Sequence, residues 1–321
     1  YFDCNRVDNW NHNSIGTREE LKIYDPDGYE LVRTTFALSP SQDWRYSFAR
    51  RLPNVEAPPE KLGIDPYYTK FTWAREFPVV GRKASDEALL AANDTIRKLF
   101  AYRHDILKAF IADGMKLVVL GRDESLADLP ELRSLSSSAD SIDLLARTLE
   151  FHRDVKLLVV AEENVIRDAS APPASSHVIR VFADAIHRVT GMRPVDPEWD
   201  DRPARLRQQY ELRVKRLDVR FDERLQALFE AAKERGAWRN TAAIHDHNEY
   251  WIAGVLAYFD AVCRDPAPED ASSPITTREA LAAYDPDLFA LVEETMAYKG
   301  HVDWRFERAV VKTQSAQPRD R

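Results

Sequence analysis

Cysteine is nearly absent from this chain: Cys4 and Cys263 are its two cysteines among 321 residues. Two cysteines build neither a disulfide framework nor a cysteine-based zinc cluster, and the sequence leaves open whether they pair. Long apolar runs are missing as well. The longest, at 117–120 and 157–161, have the length of a strand, so the sequence predicts no membrane span.

Excess positive charge is also lacking. The chain has 45 Lys and Arg against 53 Asp and Glu, a net charge of −8, with both signs interleaved. Proteins that bind nucleic acid usually gather Lys and Arg on one face, so we expect no nucleic-acid partner. The 44% hydrophobic and 31% charged content is that of an ordinary soluble globular protein. The compartment stays unknown, and secretion stays open.

Glycine is scarce, at 10 residues, and helical periodicity dominates the sequence. We therefore predict a predominantly helical α+β fold with a small sheet. Ser85 is placed to cap a helix, and Gly114 marks a helix end. Further elements are predicted as strands at 115–120 and 156–160, a helix between them at 144–151, and a long charged helix at 203–235.

One segment occurs twice. The first copy contains Tyr1-Phe2-Asp3, Thr17-Arg18-Glu19, Tyr24-Asp25-Pro26-Asp27, Leu31-Val32 and Asp43-Trp44-Arg45, which recur as 258–260, 277–279, 284–287, 291–292 and 303–305. The offset of about 260 residues is far longer than solenoid repeats of about 20 to 50 residues, so it indicates domain duplication. We predict that 1–51 is the C-terminal tail of a preceding unit, that 52–312 is one domain, and that 313–321 is a flexible tail. The apolar residues of 1–51 would pack on 52–312 or on a second chain.

Two predicted helices carry polar residues that could meet. The helix at 176–189 has His177, Arg180, Asp184 and His187 opposite its apolar side. A later helix opens at Asn248 with Glu249 off its apolar stripe. In zinc peptidases a His-Glu-x-x-His helix supplies two imidazoles and a catalytic glutamate, and a later helix supplies the third ligand. The layout of this chain has that form.

These residues resemble the zincin-like metallopeptidases related to the catalytic domain of anthrax toxin lethal factor. The resemblance covers most of residues 70–306 and implies a small sheet packed against a degenerate active-site helix. It rests on Leu126–Glu131, Glu162–Asn164, Phe182-Ala183 with Ile186-His187, Glu249–Trp251 with Gly254-Val255, Tyr258–Asp260, and the tail from Thr277-Arg278-Glu279 to Asp303-Trp304-Arg305.

The catalytic residues that the resemblance implies are mostly replaced. In place of His-Glu-Phe-Ala-His the chain reads Arg180-Val181-Phe182-Ala183-Asp184, which removes the first zinc ligand, the general base and the second ligand. Glu249 matches the third ligand. The family's oxyanion tyrosine falls near Ala242, and the second glutamate of its Glu-Tyr-Trp-Ala-Glu-Gly segment falls at Ala253. Because a guanidinium has no lone pair to donate, Arg180 would repel zinc.

The leading hypothesis is therefore a pseudoenzyme that holds no metal or other cofactor. Its role would be structural, peptide-binding or regulatory, beside an upstream unit of the same polypeptide or a second chain. In place of zinc, we predict that Arg180 bridges Asp184 and Glu249 and so joins the two helices.

Alternatives from other classes stay open. His187, His245, His247 and Glu249 would make a rebuilt zinc site in an active hydrolase. Asp184, His187 and Glu249 would make a metal-free acid/base set for glycan hydrolysis. A carbohydrate- or surface-binding module would use exposed aromatics, although Trp44 and Trp304 are better explained as buried anchors of the repeated tail.

Overall fold

The computed structural model describes residues 19–24, 30–36, 53–133, 142–152, 155–166, 176–191, 221–262 and 275–306. The chain divides into one unit of Val55–Trp304 and another of Tyr1–Asn54 with Arg305–Arg321. In the latter, β1 (Glu19–Tyr24) pairs antiparallel with β2 (Glu30–Phe36). The predictions for Cys4, Cys263, Trp44, the tail 313–321 and the helical residues 203–220 lie outside the described residues.

A four-stranded mixed sheet forms the middle of the Val55–Trp304 unit. Its strands are β3 (Lys70–Ala74), β4 (Phe77–Gly81), β5 (Lys116–Leu120) and β6 (Leu157–Ala161), which lie side by side in that order. The β3–β4 pair is antiparallel and the other two pairs are parallel. The predictions of strands near 115–120 and 156–160 are confirmed to within about one residue.

The helices described in this unit follow in chain order. They are α1 (Asp86–Leu99), α2 (His104–Ala112), α3 (Pro130–Arg133), α4 (His177–Gly191), α5 (Phe221–Glu234), α6 (His247–Tyr258), α7 (Arg278–Tyr284) and α8 (Pro286–Met296). Ser85 caps α1 by accepting a hydrogen bond from the Ala88 amide at 3.2 Å, and Gly114 follows α2 with φ +78°. Both predicted helix boundaries are confirmed, and so is the α+β class.

The alternation of residues along the strands gives the sheet two buried faces. Val119 and Val160 face a large core that also contains α4, whereas Val118 and Val159 face a smaller core with Tyr68 and Leu126. Phe182 of α4 lies at the centre of the large core. Its ring is 5.3 Å from that of Phe77, 5.2 Å from Phe100 and 6.0 Å from Phe110. The apolar side of α4 therefore packs onto the sheet.

The helix predicted at 144–151 is wrong. Residues 142–152 follow an irregular path, and Leu149 pairs with Val159 on β6 in an isolated antiparallel bridge, with N–O distances of 2.9 and 3.0 Å. Leu144 and Leu149 pack on the smaller core. Their burial explains the apolar pattern that periodicity alone assigned to a helix, because a short apolar run does not distinguish the two states.

The two copies of the repeat differ in secondary structure. Glu19–Tyr24 and Glu30–Phe36 are strands, whereas the matching second-copy segments are the helices α7 and α8. The first copy is rich in β-branched residues such as Ile23 and Val32, while α7 contains alanines that favour helix. Domain duplication stays a prediction. None of the described helices has the length and apolar character needed to cross a membrane.

Burial at the start of α2 gives this unit a pH-sensitive residue. Burial, together with the charges of Lys108 and Arg75, lowers the pKa of His104 from 6.5 to about 4. The neutral form is therefore favoured in the fold, and this contribution is complete above about pH 6.5 and is lost as the pH falls toward 4. Between pH 7 and 4 the parent is expected to lose about 3 kcal/mol more unfolding free energy than His104→Gln.

Urea unfolding at the two pH values measures this difference. His245→Gln, which changes an exposed histidine, serves as the matched control and should follow the parent. An identical acid loss in His104→Gln and in the parent would contradict the prediction.

Candidate functional site

Arg180 ties three segments of the fold together. Its Nε donates to Glu150 Oε1 at 2.7 Å, and its Nη2 donates to Glu249 Oε1 at 2.5 Å. Glu249 lies in the first turn of α6, and Glu150 lies beside the Leu149 bridge to β6. The side chains of Arg180, Glu150 and Glu249 are only 29%, 30% and 21% exposed. One guanidinium thus joins α4 to α6 and to the edge of the sheet.

Partial burial and ion pairing shift the pKa values of Glu150 and Arg180. Burial raises the pKa of Glu150, and the attraction of Arg180 opposes that rise. Burial acts to lower the pKa of Arg180, but the two carboxylates outweigh it and raise that pKa. Arg180 therefore stays a cation, and the site has no lone pair to offer a metal at this position.

Asp184 does not join this group, so the predicted Arg180–Asp184 bridge is wrong. Asp184 is fully buried. Its Oδ1 accepts from Arg188 Nε at 2.7 Å and from Asn248 Nδ2 at 2.8 Å, while its Oδ2 accepts from the Phe151 amide at 2.7 Å. These three donors satisfy the carboxylate, and Glu150 takes the place that was predicted for Asp184. Sequence reasoning missed Glu150 because it assigned that segment to a helix.

The other predicted site residues are dispersed. Val181 is fully buried in the large core. His245 is exposed and follows a 3₁₀ turn at Ala242–Ile244. Asp246 caps α6 by accepting from the Glu249 amide at 2.8 Å. His245 and Glu249 therefore do not join His187 and His247 in the group of possible metal ligands that the described residues form.

A second cluster forms where α4, α5 and α6 meet. His187 Nε2 is 2.7 Å from Asp222 Oδ1, and His247 Nε2 is 3.0 Å from the same oxygen. The two imidazole rings stand edge to face with centroids 4.9 Å apart. Asp222 was missed in the sequence, where it reads as one of many charged residues inside the helix predicted at 203–235. We call His187, Asp222 and His247 the His-Asp-His cluster.

Electrostatics within this cluster favour the ionised carboxylate. Partial burial acts to raise the pKa of Asp222, but the hydrogen bond and charge of His187, followed by those of His247, lower it. His187 is buried, whereas His247 is half-buried and Asp222 is half-exposed. The cluster therefore opens to solvent on its Asp222 side.

Trp304, in the second copy of the repeat, was predicted to be a buried anchor and is half-buried in the structure. Its Nε1 donates to the Phe259 carbonyl at 2.8 Å, and its ring lies 5.8 Å from that of Phe259.

No protein-family model, curated protein or solved structure matches this chain. The relationship to zincin-like metallopeptidases stays a prediction.

Proposed function

We propose that the Val55–Trp304 unit is a catalytically degenerate metallopeptidase-like domain. The observation that carries this proposal is the ion-paired position of Arg180, which contacts Glu249 of α6 at 2.5 Å and Glu150 at 2.7 Å. In the family that the sequence resembles, zinc joins the corresponding helices. Here the Arg180 guanidinium pairs instead with Glu249 on one side and with Glu150 on the other.

The residues at this position do not fit a zinc ion. Arg180 offers donors only, and both oxygens of Asp184 already accept hydrogen bonds. The position of the general base is Val181, an apolar residue in the core. The role we propose is therefore non-catalytic: structural, peptide-binding or regulatory, beside an upstream unit of the polypeptide or a second chain.

The test is to restore the missing motif. Arg180→His, Val181→Glu and Asp184→His are combined in a His247→Gln background, which removes one imidazole of the His-Asp-His cluster. We expect the restored chain to retain about one zinc per chain after desalting, because two imidazoles and Glu249 complete a three-ligand site. The unrestored background should retain none, and adding Glu249→Gln to the restored chain should abolish retention.

Folding is checked on the same samples by circular dichroism. Asp184→His removes buried hydrogen bonds. A second variant, Arg180→His alone, therefore restores only the first missing imidazole and keeps the carboxylates of Asp184 and Glu249. Folded chains of both kinds that retain no zinc at this position would overturn the proposal. The parent chain should hydrolyse no peptide library above the buffer rate, with or without zinc, and hydrolysis that is lost in Glu249→Gln would also count against the proposal.

A second candidate function is an active hydrolase with a remodelled metal site. The specific observation that favours it is the convergence of His187 and His247 on Asp222, which replaces the ligand set predicted from the sequence.

A further inference from the structure

We propose that the His-Asp-His cluster binds one divalent first-row transition-metal ion of the zinc type. The ligand atoms would be Nε2 of His187, Nε2 of His247 and Oδ1 of Asp222, which all lie within 4.8 Å of one another. The inference stands apart from the pseudoenzyme proposal, because none of these residues belongs to the Arg180 group.

The two contacts between the imidazoles and Asp222 need only small changes in length to receive an ion. Metal–ligand bonds of about 2.0–2.2 Å in a tetrahedral site place neighbouring ligand atoms about 3.3 Å apart. The two Nε2 atoms now lie 2.7 and 3.0 Å from Asp222 Oδ1. Each contact must therefore lengthen by a few tenths of an ångström, and Asp222, 50% exposed, has the freedom to supply that movement.

Hydrogen bonds behind the cluster orient the lone pair of His187. Asn248 Nδ2 must donate to Asp184, since a carboxylate only accepts, so Asn248 Oδ1 faces His187 Nδ1 at 2.6 Å. Nδ1 therefore carries a proton. In the metal-free chain Nε2 donates to Asp222 Oδ1 at 2.7 Å, so an arriving ion would displace the Nε2 proton and take the lone pair of that atom. Metal-bound histidines typically donate their other ring N–H to an oxygen in this way.

Aromatic neighbours hold both rings in place. The ring of Phe221 is 6.2 Å from that of His187 and 5.0 Å from that of Trp251. Phe229 lies 6.5 Å from His247. Because α4, α5 and α6 each contribute one ligand, the fold brings the three ligands together before an ion arrives.

The donor set selects the class of metal. Two imidazole nitrogens and one carboxylate oxygen suit zinc, iron, cobalt, nickel or copper, whereas magnesium and calcium prefer all-oxygen sites. Exposure rises from 9% for the His187 side chain to 29% for His247 and 50% for Asp222. Three protein ligands beside solvent leave a coordination position for water or a small ligand.

The experiment titrates the chelator-treated full chain with Co²⁺ followed by optical absorption, and with Zn²⁺ by competition against a chelating dye. We expect one ion per chain. Asp222→Asn and His247→Gln should each weaken Zn²⁺ binding at least about 100-fold, since losing even an outer hydrogen-bond partner costs about 10- to 100-fold. His245→Gln, an exposed histidine two residues from His247, is the matched control and should bind like the parent.

Asn248→Ala adds a readout of the orienting hydrogen bond and should weaken Zn²⁺ binding about 10- to 100-fold. Three results would overturn the inference: no ion retained by the parent, equal loss in His245→Gln and His247→Gln, or full displacement of Co²⁺ by equimolar Mg²⁺. Because Asp222 is half-exposed, Asp222→Asn keeps the test decisive if His247→Gln does not fold. A loss of binding confined to Glu249→Gln would instead assign the ion to the Arg180 position.

Discussion

Arg180→Met is expected to lower the unfolding free energy of the Val55–Trp304 unit by about 2–4 kcal/mol. The variant keeps the side-chain volume but leaves Glu150 and Glu249 without their shared cation. Removing one partner of a buried pair typically costs about 3–5 kcal/mol, and the partial exposure of these side chains reduces that figure. Urea denaturation measures the change as a lower midpoint at an unchanged slope.

The matched control removes all three charges together. Arg180→Met combined with Glu150→Gln and Glu249→Gln should regain most of the lost stability, since no uncompensated charge is left in the group. If Arg180→Met alone falls within about 0.5 kcal/mol of the parent, as exposed substitutions usually do, the guanidinium does not hold α4, α6 and the sheet edge together.

Asp184→Ala is expected to have an effect of similar size, about 3–5 kcal/mol of unfolding free energy. Asp184 is fully buried, and its loss leaves the Asn248 amide and the Phe151 N–H without an acceptor. Each buried unsatisfied group costs about 1–3 kcal/mol. Arg188 adds little, because its side chain is 49% exposed and reaches water.

A nearby carboxylate supplies the comparison. Asp222→Asn alters a residue on the same helix junction whose side chain is 50% exposed, and we expect it to cost less than about 1 kcal/mol in metal-free protein. Equal losses for Asp184→Ala and Asp222→Asn would contradict the reading of Asp184 as the central acceptor. Because Asp184 also orients Asn248, Asp184→Ala should weaken zinc binding by the same route as Asn248→Ala.

The sequence does not reveal that Asp184 and Asp222 differ in burial. In the sequence Asp184 lies on the polar side of an amphipathic helix. In the structure it is fully buried because α6 and the segment at 142–152 cover it. In the sequence Asp222 is one of many charged residues of the helix predicted at 203–235, yet it contacts two histidines from other helices. Helical periodicity reports which side of one helix is apolar and says nothing of which other elements cover its polar side.

The sequence by itself determined the local structure of individual helices and strands. Capping at Ser85, the helical stripes of α4 and α6, and the apolar runs of β5 and β6 follow from interactions within a few residues, so periodicity and capping chemistry predict them. Contacts between distant segments were decided by the tertiary structure. Glu150 took the place expected for Asp184, and Asp222 took the place expected for His245 and Glu249, because packing of the sheet edge and of three helices sets which charges meet.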